Sequence, residues 1–325
     1  MPLGEFELIE KYLSRLGARR DDVVLGVGDD AALLRPPPGL ELAWAADTIV
    51  EGVHFPADLP AEDVGHRVLA VNLSDLAAMG AEPAWALLAL TLPRASEEWL
   101  RGFTRGLHEL ARAHGTAIVG GDTNSGPLAA TVTIVGFVPA GQALRRAGAR
   151  AGDEVWVSGT PGDAAAGLAA LSGALDAPPR VVAPLIERFR RPQPRIALGL
   201  VLRGIATACI DVSDGLAADL GKLCSASSVG ASLDSTCLPF SAALRGATDP
   251  LRARKLALAG GDDYELLFTV PPGTDCAPLM RGAGVGLTRI GTIDDGAGVC
   301  IDGEPAAAEL GHGFDHFPSG LRSRG

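Results

Sequence analysis

The first 140 residues alternate between strand-like and helix-like hydrophobic patterns. Short apolar runs are typical of strands, and apolar residues spaced three or four apart are typical of amphipathic helices. This alternation, with neighbouring strands that can pair directly, predicts a mixed α/β unit. The predicted elements are an amphipathic helix in MPLGEFELIEKYL, strands near 23–27 and 41–46, a helix near 62–79, a buried strand at 84–92, a helix between Ser96 and Gly115, and strands in TAIVGGD and AATVTIVGFV.

A second α/β series follows a polar segment rich in arginine and glycine, AGQALRRAGARAGD, at 140–153. Such a segment is typical of a domain boundary. We therefore expect an N-terminal α/β domain over 1–140, a C-terminal α/β domain over 150–317 and a flexible tail over 318–325. The predicted elements of the second series are strands in EVWVSG, ATACID, ELLFTV and LTRIGTI, and helices in GDAAAGLAAL, VVAPLIERF, PRIALGLVLRG and 216–227.

Composition restricts the class of protein. A chain of 325 residues with 47% hydrophobic residues can form two domains with large cores. A net charge of -11 argues against nucleic acid as a partner. No apolar run reaches the ~18 residues that span a bilayer. The five cysteines include no C-x-x-C pair, which indicates reduced thiols. Together with the lack of a long apolar run, this predicts a cytoplasmic protein without a membrane partner.

Six segments combine aspartate with glycine, serine or alanine, and four of them follow strand-like runs. Each alone is also typical of a turn or a helix cap. Because loops at strand ends often carry the chemistry of α/β proteins, we expect the six to converge on one cleft. Clustered carboxylates need cations, and Mg²⁺ prefers oxygen ligands. The segments are GVGDDAAL, AADTIVEGVHF, NLSDLAAMGA, GGDTNSG, DVSDGLAADL and GGDDYELLF.

Two interpretations of the acidic segments stay open from the residues alone. Calcium in a structural role is one, although the EF-hand spacing is missing from the sequence. Magnesium that binds phosphates is the other, and it fits segments so far apart in the chain. The sequence has neither a P-loop nor a protein-kinase motif set. Since only three residues are lysine, the phosphate charge would fall to metal ions and arginine, with Arg145 and Arg146 as candidates.

Together these motifs resemble the thiamine-monophosphate kinase family, in the superfamily of aminoimidazole ribonucleotide synthetase. The resemblance runs over nearly the whole chain, from GEFELIEKYL to GFDHF, and DTIVEGVHF together with GGDDYELLF is its most specific part. It implies a two-domain architecture like that of the synthetase, with a mixed-sheet N-terminal domain. It also implies transfer of the γ-phosphoryl group of ATP to thiamine phosphate, several Mg²⁺ ions in a cleft between the domains, and a homodimer whose N-terminal sheets pair.

The resemblance also implies roles for single residues. Asp29 has no clear counterpart role and is expected to support its loop. Where the family often has hydroxyl residues, this chain has Ala45 and Ala46, so a side-chain metal contact is lost there. The implied magnesium ligands are Asp30, Asp47, Asp75, Asp122, Asp211 and Asp214; the ATP contacts are Gly121, Asp122, Arg146 and Ser213; the thiamine phosphate contacts are His54, Glu265 and Phe317.

The acceptor chemistry fits this reading. A phosphate monoester is already anionic near neutral pH, so its attack needs no general base and no catalytic side chain in that role. Among relatives, selenophosphate synthetase and the hydrogenase-maturation branch are disfavoured because they need cysteines near the start or the end of the chain. An ATP-dependent ligase like aminoimidazole ribonucleotide synthetase and a calcium-stabilised binding module remain the alternatives.

Overall fold

The structure of the chain is a computed structural model, and it describes residues 5–307. The elements up to residue 139 are α1 (Glu5–Leu8) with a π-helical turn (Ile9–Leu13), β1 (Val23–Leu25), β2 (Leu33–Leu34), β3 (Leu40–Val50), α2 (Ala61–Ala78), β4 (Glu82–Leu92), α3 (Glu97–Ala113), β5 (Ala117–Ser125) and β6 (Ala129–Pro139).

The later elements form a second series of strands and helices. They are β7 (Glu154–Ser158), α4 (Asp163–Leu171), α5 (Pro179–Arg190), α6 (Ile196–Leu202), β8 (Ala208–Asp211), α7 (Leu216–Ser227), β9 (Gly230–Leu233), a 3₁₀ turn (Ser235–Cys237), α8 (Ala242–Ala247), α9 (Pro250–Ala259), β10 (Leu266–Val270), α10 (Ala277–Ala283), β11 (Leu287–Asp294), β12 (Gly298–Ile301) and β13 (Glu304–Pro305).

The chain divides into two compact units. The first unit holds the described residues up to Arg145 together with Arg190–Ala206 and Asp275–Val285. The second unit holds Arg146–Phe189, Thr207–Thr274 and the described residues from Gly286 onward. The helices α6 and α10 therefore belong to the first unit although they lie far along the chain. A glycine explains part of this, because a Cβ on Gly199 of α6 would lie 2.1 Å from the carbonyl oxygen of Ala77 in α2.

The first unit is built on a mixed sheet of four strands in the order β3-β6-β4-β5. β6 pairs antiparallel with both β3 and β4, and β4 pairs parallel with β5. α2 packs against this sheet and against α3. The two helices touch at glycines, since a Cβ on Gly65 would lie 1.9 Å from the carbonyl oxygen of Phe103. β3 and β5 are consequently the two edge strands.

The second unit is built on a sheet of seven strands in the order β13-β12-β9-β11-β7-β10-β8. Its pairs are antiparallel except for β12 with β9. The apolar face of α7, with Leu216, Leu220 and Leu223, is buried in the same core as Val155 and Ile210 of this sheet. This packing fixes α7 beside the end of β8, where the segment DVSDG begins.

The expected α/β class with mixed sheets is confirmed. The helices predicted near 62–79, between Ser96 and Gly115 and over 216–227 correspond to α2, α3 and α7. Ser96 caps α3 as expected, because its hydroxyl oxygen accepts a hydrogen bond from the Trp99 N–H at 3.4 Å. The sequence did not predict α8, α9 or α10. Within residues 5–307, no helix is long and apolar enough to cross a membrane.

Candidate functional site

In the first unit, the strand that carries Asp47 contacts the helix that carries Asp75. The backbone N–H of Asp47, in β3, donates a hydrogen bond of 2.9 Å to Oδ1 of Asn72, a fully buried residue of α2. Asp75 follows Asn72 by three residues, so both side chains lie on one face of α2. Asp47 shares its row of the sheet with the buried residues Val132 and Leu88. The side chain of Asp47 therefore lies on the sheet face that α2 covers.

His54 lies in the turn that follows β3, near Asp47. Its Nδ1 accepts a hydrogen bond of 3.0 Å from the Val50 N–H, which leaves Nε2 as the ring nitrogen that carries the proton of the neutral side chain. The Asp47 residue is largely exposed, but surrounding protein desolvates its carboxyl and raises the pKa, while the nearby His54 acts to lower it. A cation beside Asp47 would therefore be stabilised by a carboxylate with incomplete hydration.

Asp29 and Asp30 lie on an exposed loop between β1 and β2. Oδ1 of Asp29 accepts a hydrogen bond of 2.8 Å from the N–H of Asp30. Gly28 before them has a φ of +121°, which favours glycine. The Asp29 side chain thus makes a hydrogen bond within its own loop, and the carboxyl groups of Asp29 and Asp30 are both exposed.

Gly121 and Asp122 lie inside the edge strand β5 rather than on a loop. Gly121 has a φ of +154°, and a Cβ there would lie 1.8 Å from the carbonyl oxygen of Leu88 in β4. The glycine is therefore required for the pairing of β5 with β4. Asp122 is exposed, and its Oδ2 accepts a hydrogen bond of 2.5 Å from Nδ2 of Asn124.

In the second unit, the segments 211–215 (DVSDG) and 260–265 (GGDDYE) lie side by side. The N–H groups of Asp262 and Tyr264 donate hydrogen bonds of 2.9 Å to the carbonyl oxygens of Ser213 and Val212. The Val212 N–H returns a bond of 2.8 Å to the Glu265 carbonyl oxygen. Two of the six acidic segments are thereby joined through their backbones, and the predicted ligands Asp211 and Asp214 lie at this junction.

Asp219 of α7 organises the 211–215 segment, and the sequence reasoning missed it. The residue is 1% exposed, and its Oδ2 accepts hydrogen bonds from the N–H groups of Ser213 and Asp214 at 3.0 and 2.9 Å. Its Oδ1 accepts a bond of 2.7 Å from Nζ of Lys222, which also donates to Oδ2 of Asp214. Burial raises the pKa of Asp219, and Lys222 opposes that effect. Asp219 could have been identified from the sequence, because an acidic residue in the first turn of a predicted helix is typical of an interaction with the N–H groups at its start.

Glu265 is fully buried, and both of its carboxylate oxygens bind inside the unit. Oε1 forms an ion pair of 2.6 Å with Nη2 of Arg188 in α5. Oε2 accepts a hydrogen bond of 2.5 Å from the hydroxyl of Ser158, at the end of β7. The predicted role of Glu265 in binding thiamine phosphate would therefore need a change in these contacts.

Asp262 is the most accessible acid of the 260–265 segment. Asp263 is 1% exposed and caps the start of α4, since its carboxylate accepts hydrogen bonds from the N–H groups of Gly162 and Ala164. Burial raises the pKa of Asp263 well above its usual range. Asp262 is partly exposed and has a φ of +70°, and Tyr264 has a φ of +51°. Such strain in non-glycine residues is typical of functional sites.

Arg146 is the first residue of the second unit and lies on an exposed loop. This loop is bonded to the C-terminal end of α7. The hydroxyl of Ser227, the last residue of α7, donates a hydrogen bond of 2.9 Å to the Arg146 carbonyl oxygen. The hydroxyl oxygen of Ser227 in turn accepts hydrogen bonds from the N–H groups of Gly148 and Ala149 at 3.1 and 3.2 Å. α7 thus supports the 211–215 segment at its start and the arginine loop at its end.

The donor set suits magnesium, although the protein does not form a complete cage for it. Within residues 5–307, no three carboxylate, histidine or cysteine side chains are grouped so that they could hold a metal ion. Mg²⁺ usually takes only one or two protein carboxylates and completes its shell with water and substrate phosphates. The exposed carboxyls of Asp30, Asp47 and Asp122 fit that mode of binding. Phe317 lies outside the described residues.

Comparisons with known proteins identify the family of the two domains. The profile "AIR synthase related protein, N-terminal domain" matches residues 28–138, and the corresponding C-terminal domain matches 150–302. Thiamine-monophosphate kinase of Escherichia coli K12 is 48% identical over 98% of this chain and 99% of its own.

Two solved structures extend the comparison to the fold. The crystal structure of thiamine-monophosphate kinase from Stenotrophomonas maltophilia is 50% identical, with a TM-score of 0.87 over 94% of this chain and 99% of the other. AaThiL complexed with AMPPCP and TMP is 33% identical, with a TM-score of 0.77 over 98% and 99% of the two chains.

Proposed function

The chain belongs to the thiamine-monophosphate kinase family of AIR synthase related proteins, and on this premise we propose that it transfers the γ-phosphoryl group of ATP to thiamine phosphate, forming thiamine diphosphate. The observation that carries the proposal is 48% identity with a thiamine-monophosphate kinase over 98% of the chain. The complex of AaThiL with AMPPCP and TMP supports the choice of both substrates.

The transfer is proposed to be direct and in line, with no phosphorylated enzyme. The acceptor oxygen of a phosphate monoester is largely ionised at neutral pH, because the second pKa of the group is about 6. The protein therefore needs no base to activate it, and its task is to align two polyanions whose charges repel. Bound Mg²⁺ supplies positive charge that offsets this repulsion.

The proposed ligands of several Mg²⁺ ions are acids of both units. In the first unit, the backbone N–H of Asp47 is bonded to Asn72, which lies one helical turn before Asp75 in α2, and this supports the inclusion of both acids. Asp214 lies on a loop whose backbone Asp219 fixes in the second unit. The full proposed set is Asp30, Asp47, Asp75, Asp122, Asp211 and Asp214.

The same proposal assigns the substrate contacts. Gly121, Asp122, Arg146 and Ser213 are proposed to contact ATP. For thiamine phosphate we propose His54 and Phe317 with the 260–265 segment. Within that segment the sequence indicated Glu265, and the burial of its carboxylate makes Asp262 the side chain that a ligand can reach.

We further propose a cytoplasmic homodimer. The edge strand β3 carries Leu42 and Trp44 with 45% and 66% of their surfaces exposed, and such an apolar edge invites pairing with a second sheet. None of the five cysteines, all of which lie in the described part of the chain, forms a disulfide bond, which suits a reducing compartment. The dimer-forming domain is proposed to span 1–140, and the second domain 150–317.

An ADP-release assay with Mg-ATP tests the activity. The purified protein is offered thiamine phosphate, free thiamine or formylglycinamidine ribonucleotide in separate reactions. We expect turnover with thiamine phosphate alone. Turnover with free thiamine alone would overturn the assignment, and turnover with the ribonucleotide would support the synthetase alternative. Metal binding without any turnover would support the binding module. A covalently phosphorylated chain trapped during turnover would contradict direct transfer.

A further inference from the structure

Lys222 connects two carboxylates that differ in how firmly the protein holds them. It is one of three lysines in the chain. Its Nζ donates to Oδ1 of Asp219 at 2.7 Å, within α7, and to Oδ2 of Asp214, on the preceding loop. The Asp219 side chain is 1% exposed, whereas the Asp214 side chain is 27% exposed and faces partly into solvent.

Asp219 is the fixed partner. Its second oxygen already accepts hydrogen bonds from the N–H groups of Ser213 and Asp214, so the carboxylate is held by the loop that it caps. The loop is tied down again by the bond from the Asp262 N–H to the Ser213 carbonyl oxygen. The backbone of the loop is thus fixed without the ion pair between Lys222 and the Asp214 side chain.

Stability of the loop therefore does not explain the ion pair between Lys222 and Asp214. An ion pair with partners 40% and 27% exposed contributes little to folding, because solvent screens it. The main physical effect of the ion pair is on the repulsion between the carboxylates of Asp214 and Asp219. Two carboxylates this close repel each other unless a cation lies between them, and the ammonium group is that cation.

We propose that Lys222 is a positioning residue that holds the Asp214 carboxylate while no metal ion is bound and releases it to Mg²⁺. This inference rests on the proposed function, in which Asp214 is a magnesium ligand. A divalent ion beside Asp214 repels the ammonium group, and the flexible lysine stem lets Nζ remain on Asp219 alone. The Asp214 side chain is therefore kept in place before the metal arrives. Because the metal ion must displace Lys222 from Asp214, the apparent affinity of the protein for the metal ion is lowered.

The test measures metal binding rather than turnover. Wild-type protein, Lys222→Met and Lys222→Arg are titrated with Mn²⁺ alone, and the free ion is counted by electron paramagnetic resonance. Methionine keeps an unbranched side chain without charge, and arginine keeps the charge. We expect Lys222→Met to bind Mn²⁺ about two- to fivefold more tightly, which corresponds to the weak energy of a screened ion pair. Lys222→Arg should bind like the wild type.

Two controls separate competition from a general effect of charge. Lys255→Met removes a positive charge from an exposed site of α9 in the same unit and should leave Mn²⁺ affinity unchanged. Asp214→Asn combined with Lys222→Met should lose the gain. Circular dichroism verifies that each variant is folded.

Unchanged or weaker Mn²⁺ binding by Lys222→Met would overturn the proposal, as would a gain that persists in the Asp214→Asn background. A gain equalled by Lys255→Met would also overturn it. The result is distinguishable from a failure of the proposed function, because no substrate is present. Absence of kinase turnover together with the expected Mn²⁺ pattern would reject the activity and leave the role of Lys222 standing.

Discussion

Asp262 and Glu265 are three positions apart in one segment, and they differ in how far a ligand could reach their carboxyl groups. Asp262 is partly exposed, with strained backbone, whereas Glu265 is fully buried against Arg188 and Ser158. The sequence shows both as acids of GGDDYE. Their difference comes from the tertiary partners, which no local pattern contains.

The first prediction compares the effects of substituting Asp262 and Glu265 on stability and on KM. Asp262→Asn should keep the free energy of unfolding and raise KM for thiamine phosphate about tenfold, the effect of losing one charge-assisted hydrogen bond. Glu265→Gln should lower the free energy of unfolding by about 3 kcal/mol, because the largely buried Arg188 loses its counter-charge. Urea unfolding and initial-rate kinetics measure both. A stable Glu265→Gln variant with the larger KM effect would show that Glu265 is the ligand contact.

His114 gives a pH prediction for the first unit. Desolvation lowers the pKa of this side chain below its ordinary value of 6.5, and the charge of His66 lowers it further. As the pH falls below 6.5, the unfolded chain takes up the proton before the folded protein does, so His114 then destabilises the fold. The wild type should lose stability relative to His114→Gln as the pH falls from about 6.5 to the lowered pKa, by at most about 1.4 kcal/mol per pH unit. Urea unfolding at several pH values measures the difference, and a constant difference would contradict the shift.

The elements themselves show which parts of the site the sequence can predict. The periodicity of 216–227 is local, and α7 has those bounds. The strand predicted at 41–46 instead runs from Leu40 to Val50, because β6 pairs with it over its whole length. Asp47 thus lies within a strand, as Asp122 does in β5, and not on the loops that the acidic segments suggested.

The contributions of α7 to the site were not predictable from its own sequence. Lys222 and Asp219 are three residues apart on the helix, a spacing that favours an ion pair. Their link to the backbone of Asp214 depends on the path of the loop. Ser227 holds residues that precede it by about 80 positions, a contact that only the folded chain creates.

The third prediction concerns Ser227 at the end of α7. Ser227→Ala removes one donor and one acceptor from the loop that begins at Arg146. If that loop contacts ATP, KM for ATP should rise about threefold or more with kcat little changed, since the lost hydrogen bonds act on binding. Ser225→Ala, at an exposed position of the same helix, is the matched control and should leave KM for ATP unchanged. Equal kinetics for both variants would exclude a positioning role for Ser227.

For the molecule as a whole, most strands and helices up to residue 139 were predictable, whereas several elements of the later series and the assignment of elements to units were not. The sequence predicted a division at 140–153, and Arg146 is the first residue of the second compact unit. The sequence contained no signal that α6 would join the first unit, because the contact depends on Gly199 meeting the backbone of α2. The sequence of a short helix shows which of its residues are apolar but not which surface of the protein they will pack against.

The last prediction tests the proposed homodimer through the exposed edge of the first unit. Trp44 on β3 is 66% exposed, and a large aromatic side chain on an edge strand is typical of an interface hot spot. Trp44→Glu should weaken dimerisation about thirtyfold or more, because a hot-spot residue contributes about 2 kcal/mol and the new carboxylate would have to be buried. Sedimentation velocity over a dilution series measures the change. Leu251→Glu, at a position of the second unit that is 74% exposed, is the matched control and should sediment like the wild type. If Trp44→Glu and the wild type sediment alike at every dilution, the pairing of two copies does not involve the β3 edge.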